Sequence, residues 1–354
     1  MLKAGRSLFC LLLLVAFCRA GSVLAQSSPA IPPAADAITE MAPVLVSGVQ
    51  PGPGLWKVSK GDHVMWVLGT VSPLPEHMQW KADEVEETVA SSQQLLDPPG
   101  FVIGAHLGFF GKLFLLPSMI GLRNNPDGAT LEQVLPSALY ARWDVQRQKY
   151  LGRGHRLKRL RPMFAGKELY DVALEKAGLT VDGGVNESVD AMAERHEVAR
   201  VSTSYQLILK DPRAAAKTFK KSSMEDTECL SQIVDAIGSD MAQVTTRANA
   251  WSTGDIEALR SALAGSQKDS CLSAISSAGS ARKLGMLDVQ ERIDAAWLDM
   301  ARQALKSNQR TFALLPMEQL LSIDGYLARL RREGFTVQSP DEQLIAPTSD
   351  QARR

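Results

Sequence analysis

Apolar positions fall in short dense runs near both ends of the chain and at helical spacing between them. Near the start of the folded part, VLVSGV (44–49) and LWKVSKGDHVMWVLGT (55–70) carry β-branched and aromatic residues around a Lys-Gly-Asp turn, a strand, turn, strand pattern. After Pro75, WKADEVEETVASSQQLL (80–96) predicts one helix, its acids gathered in the first half where they suit the helix dipole. Near the far end TFALLP (311–316) predicts a strand, DGYLARLRREG a helix capped by Gly334, and FTV (335–337) a closing strand.

Between these ends the spacing is helical. Thr130 to Gln133 has capping-box spacing, and Ser137 is placed to cap a helix through Tyr150. Further helices are predicted over 164–176, 187–195, 211–220, 224–249, 255–263 and 288–306, with 204–209 readable as strand or helix. No internal repeat is visible. The predicted fold class is α/β: a central mixed sheet built from N- and C-terminal strand-helix units, with a large helical insertion over about 101–265, all in one domain spanning 44–340. Residues 341–354 are expected to fray.

Two stretches do not fit an ordinary surface helix. Residues 101–122, FVIGAHLGFFGKLFLLPSMIGL, are the most apolar part of the chain after its N-terminus, yet Gly104, Gly108, Gly111, Pro117 and Lys112 argue against a continuous membrane span. They predict a buried or lid-like helical hairpin, with peripheral membrane contact through Phe101 to Leu122 as the alternative. RGHRLKRLRP (153–162) reads as a helix end with solvated cations, or else an anion-binding patch.

The N-terminus changes the compartment. Lys3 and Arg6 precede LFCLLLLVAF, and Val23-Leu24-Ala25 supplies a small-residue cleavage site, so residues 1–25 read as a signal peptide. Residues 26–43, rich in Pro, Ala and Ser, read as a disordered tail. The expected location is periplasmic or secreted. Cleavage leaves Cys229 and Cys271, which an oxidising compartment would pair as a disulfide.

Charge narrows the partners. The 354 residues hold 39 basic and 39 acidic side chains, and losing Lys3, Arg6 and Arg19 makes the mature chain mildly acidic. That balance gives no long-range attraction to nucleic acid or an anionic membrane, so partners have to be argued from local features. Composition, 45% hydrophobic and 22% charged, is that of ordinary globular protein. The five histidines, His63, His77, His106, His155 and His196, are scattered, with no HExxH or CxxC spacing.

WVLGTVSPLP (66–75), NAWSTGDIEALRSAL (249–263), ERIDAAWLDMARQAL (291–305) and the uninterrupted run from Thr311 to Val337 resemble the TraB/PrgY/GumN family, relatives of the Tiki metalloproteases, across about Trp56 to Val337. The resemblance implies two Gly-x-x-His motifs, one after the first strand and one closing the last, whose imidazoles would share a divalent transition metal. Here the first reads Gly69-Thr70-Val71-Ser72 and the second Pro316-Met317-Glu318-Gln319. The family's acidic positions fall on Pro98, with Asp97 one residue away, and on Ser202.

Gly69, Ser72, Asp97, Ser202 and Gln319 are thus vestigial site positions, and no catalytic residue, metal or cofactor is expected. A neutral hydroxyl and amide are weak metal ligands. The resemblance then implies an exported pseudoenzyme that binds or scaffolds a peptide, glycan or protein partner in a residual cleft. One alternative is a hydrolase using Ser72 as nucleophile, or a metal held by Glu318, Asp97 and His77, although no Gly-x-Ser-x-Gly elbow surrounds Ser72 and Pro73 follows it. The other is an envelope-associated structural protein working through 101–122. A strand continuing past Pro316 would set Glu318 and Gln319 on opposite sides.

Overall fold

The computed structural model describes residues 51–76, 78–154, 157–181, 184–222, 226–239, 241–263 and 288–345. The expected signal peptide, tail and first strand (44–49), as well as Cys271, His77 and residues 346–354, lie outside the described residues.

The described strands are β1 (Leu55–Lys60), β2 (His63–Thr70), β3 (Leu74–Pro75), β4 (Gln94–Leu96), β5 (Phe101–Gly104), β6 (Leu179–Thr180), β7 (Ala199–Val201), β8 (Tyr205–Ile208), β9 (Arg310–Pro316) and β10 (Thr336–Gln338). Six form one mixed sheet in the order β10-β1-β2-β9-β4-β7. β1 runs antiparallel to both its neighbours, whereas β2, β9, β4 and β7 are mutually parallel. The C-terminal strand β9 is inserted between two N-terminal strands, pairing Gly69 with Leu315 on one side and Leu96 with Ala313 on the other. Its five residues from Thr311 to Leu315 are all buried, the continuous run that a central parallel strand covered on both faces requires.

Helices Asp83–Ala90 and Val289–Ser307 pack on this sheet through Val85, Val89, Trp297, Leu298, Ala301 and Leu305. Burying each such Leu or Val contributes about 1.5–3 kcal/mol. The middle of the chain builds its own core, where Leu139 and Trp143 meet Leu169, Leu230 and Val234 from three different helices. A Cβ on Gly166 would stand 2.9 Å from Ile233, so helices Pro162–Lys176 and Thr227–Ser239 approach closely because that position is glycine.

Several expectations change. The helix predicted over 80–96 stops at Ala90, and Gln94 to Leu96 become β4, because β9 and β7 offer ladder partners on both sides. The insertion is not purely helical. β7 joins the central sheet, β5 pairs with β8, and β3 with β6. The span 224–249 holds two helices, Thr227–Ser239 and Met241–Thr253. Residues 340–345 form a helix instead of fraying, with Ser339 N–H donating to Glu342.

Arg153 and Arg159 of the basic run are exposed as expected, but Arg161 is not. It is 1% exposed and its guanidinium donates to the carbonyls of Phe219, Lys220 and Ser222, closing the C-terminus of helix Pro212–Lys221. Cations suit that end of a helix dipole. Burial lowers the Arg161 pKa, and the Asp226 carboxylate opposes that shift.

Candidate functional site

The four parallel strands all end on one edge, and the chain leaves each through a position singled out by the sequence. β2 leads through Val71 to Ser72, β9 to Met317, Glu318 and Gln319, β4 to Asp97, and β7 to Ser202. The carboxyl edge of a parallel sheet is where α/β proteins carry their sites. Positions up to about 245 residues apart in sequence are thereby gathered, as the Thr70 hydroxyl donating to the Leu315 carbonyl illustrates.

What surrounds these positions leaves little open. The Ser72 hydroxyl donates to the Val181 carbonyl at 2.6 Å, so among the described residues its proton goes to the backbone and not to a base. Pro316 ends the strand and Met317–Leu321 forms a short helix, so Glu318 and Gln319 are successive positions on a helical turn rather than opposite sides of a strand. The Met317 side chain turns back over Gly69. A Cβ at Gly69 would overlap the methionine methyl, which gives the glycine a packing reason independent of any metal. Met317 is buried and packs with Leu320 in the sheet core.

The crevice between Thr70, Val71, Ser72, Leu263 and Pro316 to Glu318 encloses about 10 Å³, room for at most a single water. Gln319 does not line it.

Asp97 and Ser202 are also engaged. Arg200, one residue from the end of β7, donates from Nε and Nη2 to Asp97 at 3.1 and 2.8 Å and pairs with Asp190 at 3.0 Å. Its pKa is raised, chiefly by the hydrogen bond to Asp97, while burial raises that of Asp190. A guanidinium where a cation would bind supplies the charge itself. The Ser202 hydroxyl accepts from the Ser204 amide at 3.4 Å. Buried Thr203 donates to the Asp97 and Pro98 carbonyls, fixing the two strand ends together.

The resemblance to a metal-dependent family implies a divalent metal, and these residues do not fit one. Ser72 is turned to Val181, Asp97 is neutralised by Arg200, and Met317 fills the space over Gly69. Among the described residues no group of three or more His, Cys, Asp or Glu is placed to hold a metal ion.

Trp251, in the NAWSTGD segment, carries no site signature in the sequence. Its indole N–H donates to the Gly69 carbonyl at 2.8 Å, fully buried, and its ring meets Trp80 edge-on at 5.7 Å. An isolated tryptophan gives no local sign that its partner lies 182 residues away.

A larger groove lies at the opposite, amino end of the strands. It holds about 430 Å³ between Lys57, Val64, Trp66 and Arg310 on the sheet and Glu87, Thr88 and Ser91 of the adjoining helix. The Lys57 ammonium sits 5.6 Å over the Trp66 ring.

Residues 54–339 match the model of the TraB/PrgY/gumN family. No curated protein and no solved structure gives a significant match.

Proposed function

The chain belongs to the TraB/PrgY/gumN family, and from that premise we propose that it is an exported, non-catalytic member of the cell envelope that acts by binding. The observation that carries this reading is the closed carboxyl edge. Met317 covers Gly69, Ser72 is bonded to Val181, Asp97 is paired with Arg200, and the crevice between Ser72, Leu263 and Met317 encloses only about 10 Å³. A hydrolytic metal site needs about three good ligands and an open position for water. A nucleophilic serine needs a base within hydrogen-bond reach.

This reading also moves the binding surface. A crevice with room for one water holds no peptide or glycan, whereas 430 Å³ falls within the range of small-ligand sites. The groove lined by Trp66, Lys57, Glu87 and Arg310 offers an aromatic floor with polar groups of both signs, which suits a sugar or a short polar peptide.

The test is metal analysis of the processed protein after dialysis against manganese, cobalt and zinc, with a peptidase assay alongside. The expected result is substoichiometric metal and no turnover that depends on Ser72. Near-stoichiometric binding abolished by Ser72→Ala or Gln319→Ala would return the chain to the metallohydrolases.

A further inference from the structure

Helix Phe109–Met119 is the place where the physical chemistry is least satisfied. Phe110 is 71% exposed, Phe114 63% and Ile120 76%, and Leu113, Leu116 and Met119 are also exposed. The hairpin expected to bury them does not form, because the chain enters through strand β5, and among the described residues of the helix Gly111, Leu115 and Ser118 are the half-buried ones. A contiguous apolar surface of this kind marks an interaction site. Eleven residues rise about 16 Å, half the hydrocarbon thickness of a bilayer, so the helix cannot cross one.

The neighbouring helix, Pro212–Lys221, supplies the second observation. It packs beside the apolar helix, and Arg213 ties the two together, donating to the Phe114 carbonyl at 3.2 Å with its guanidinium 5.8 Å over the Phe114 ring. Arg213, Lys217 and Lys221 recur at intervals of four, which sets one cationic stripe along a helix face. Arg213, Lys217 and Lys221 are exposed, and Lys210 just before the helix is exposed as well. The one acid of this segment, Asp211, is turned to the Ala214 amide as the helix N-cap.

An apolar arc beside a cationic stripe is the pattern of a helix lying in a lipid interface, with its apolar side among acyl chains and its cations at headgroup phosphates. A two-fold pairing of this face with a second copy would instead set like charges side by side. We propose that helices Phe109–Met119 and Pro212–Lys221 together form a peripheral docking surface for an anionic phospholipid membrane, inserted in its plane through Phe110, Phe114 and Ile120. This goes beyond the non-catalytic reading and stands or falls separately from it.

The test is flotation of the processed full protein with vesicles of pure zwitterionic phospholipid and with vesicles containing about a third anionic phospholipid, at low and high salt. Expected is at least tenfold stronger association with the anionic vesicles, weakened by salt. Phe110→Ser/Phe114→Ser and, separately, Lys217→Glu/Lys221→Glu should each reduce that association at least tenfold, with a single cooperative unfolding transition and wild-type circular dichroism showing that both variants still fold. Absence of vesicle binding, or equal binding to both lipid compositions, would overturn the proposal. So would a wild-type dimer that the phenylalanine substitutions dissociate and that does not float, which would identify a second copy as the occupant.

Discussion

The Trp251 indole N–H donates to the Gly69 carbonyl at 2.8 Å, linking the end of the helical insertion to the last turn of the central parallel strand β2. Both groups are sealed from water, so the bond is exchanged for an orphaned carbonyl if the donor is lost. Trp251→Phe should therefore cost about 1–3 kcal/mol in urea unfolding, with the sheet otherwise intact. A neutral substitution would mean that water reaches the Gly69 carbonyl.

At the carboxyl edge, Met317→Ala removes the side chain that covers Gly69 and should cost about 2–5 kcal/mol, as a cavity-forming change does. Ser72→Ala removes one hydrogen bond to Val181 and should cost only about 0.5–1.5 kcal/mol. Stability should thus follow Met317 far more than Ser72, in thermal or denaturant unfolding. The opposite order would identify Ser72 as part of a network that these contacts do not contain.

Asp294, nearly buried, accepts from the Tyr326 hydroxyl at 2.9 Å and from Gln290 at 2.7 Å, and pairs with Arg329 at 2.9 Å. Burial first, and the neighbouring carboxylate second, push the Tyr326 hydroxyl far above the ordinary tyrosine range, so at neutral pH it is a proton donor. Tyr326→Phe should cost about 1.5–3 kcal/mol and Asp294→Ala more than that, because the second removes the acceptor of Gln290 and Arg329 as well and leaves the buried Tyr326 hydroxyl unpaired. Equal costs from chemical denaturation would argue that Arg329 turns to solvent.

Arg302 grips both oxygens of Glu333 at 2.7 and 2.8 Å, and this hydrogen bonding holds the Glu333 carboxyl below its ordinary value of 4.5. Because the folded pKa is the lower one, the pair's stabilisation is present above about pH 4.5 and is lost as pH falls through the lowered value. The pair is more than a third exposed on the Glu333 side, so solvent screening keeps its worth to about 0.2–1 kcal/mol. The melting-temperature gap between wild type and Glu333→Gln should close as pH falls below 4.5, and a gap that widened would reverse the sign.

The proposed export would place Cys229 and Cys271 in an oxidising compartment. Thiol titration of the unreduced, denatured protein should find neither cysteine reactive, and reduction should release two. Two reactive thiols before reduction would reject the pairing. Cys229 is buried on helix Thr227–Ser239.

What the sequence determined by itself is what neighbouring residues decide. HVMWVLGT and TFALLP are strands because their apolar runs are short and continuous, and helix Tyr326–Arg332 ends at Gly334 because the backbone there takes a φ of 87° that glycine adopts freely. That the two strand ends read Gly69-Thr70-Val71-Ser72 and Pro316-Met317-Glu318-Gln319, with no histidine in either, is likewise plain in the sequence. Tertiary structure alone decided where long-range partners intervene. Gln94 to Leu96 extend into a strand only because β9, more than 200 residues later, lies beside them. Arg161 is buried because three carbonyls of another helix receive it, and no local pattern distinguishes it from the exposed cations nearby. The same holds for Met317, which reads as one more apolar residue until Gly69 is found beneath it, and for Phe110 and Phe114, whose exposure follows from the protein that does not cover them. Periodicity fixes which side chains share a face, but burial and closure depend on which distant surface that face meets.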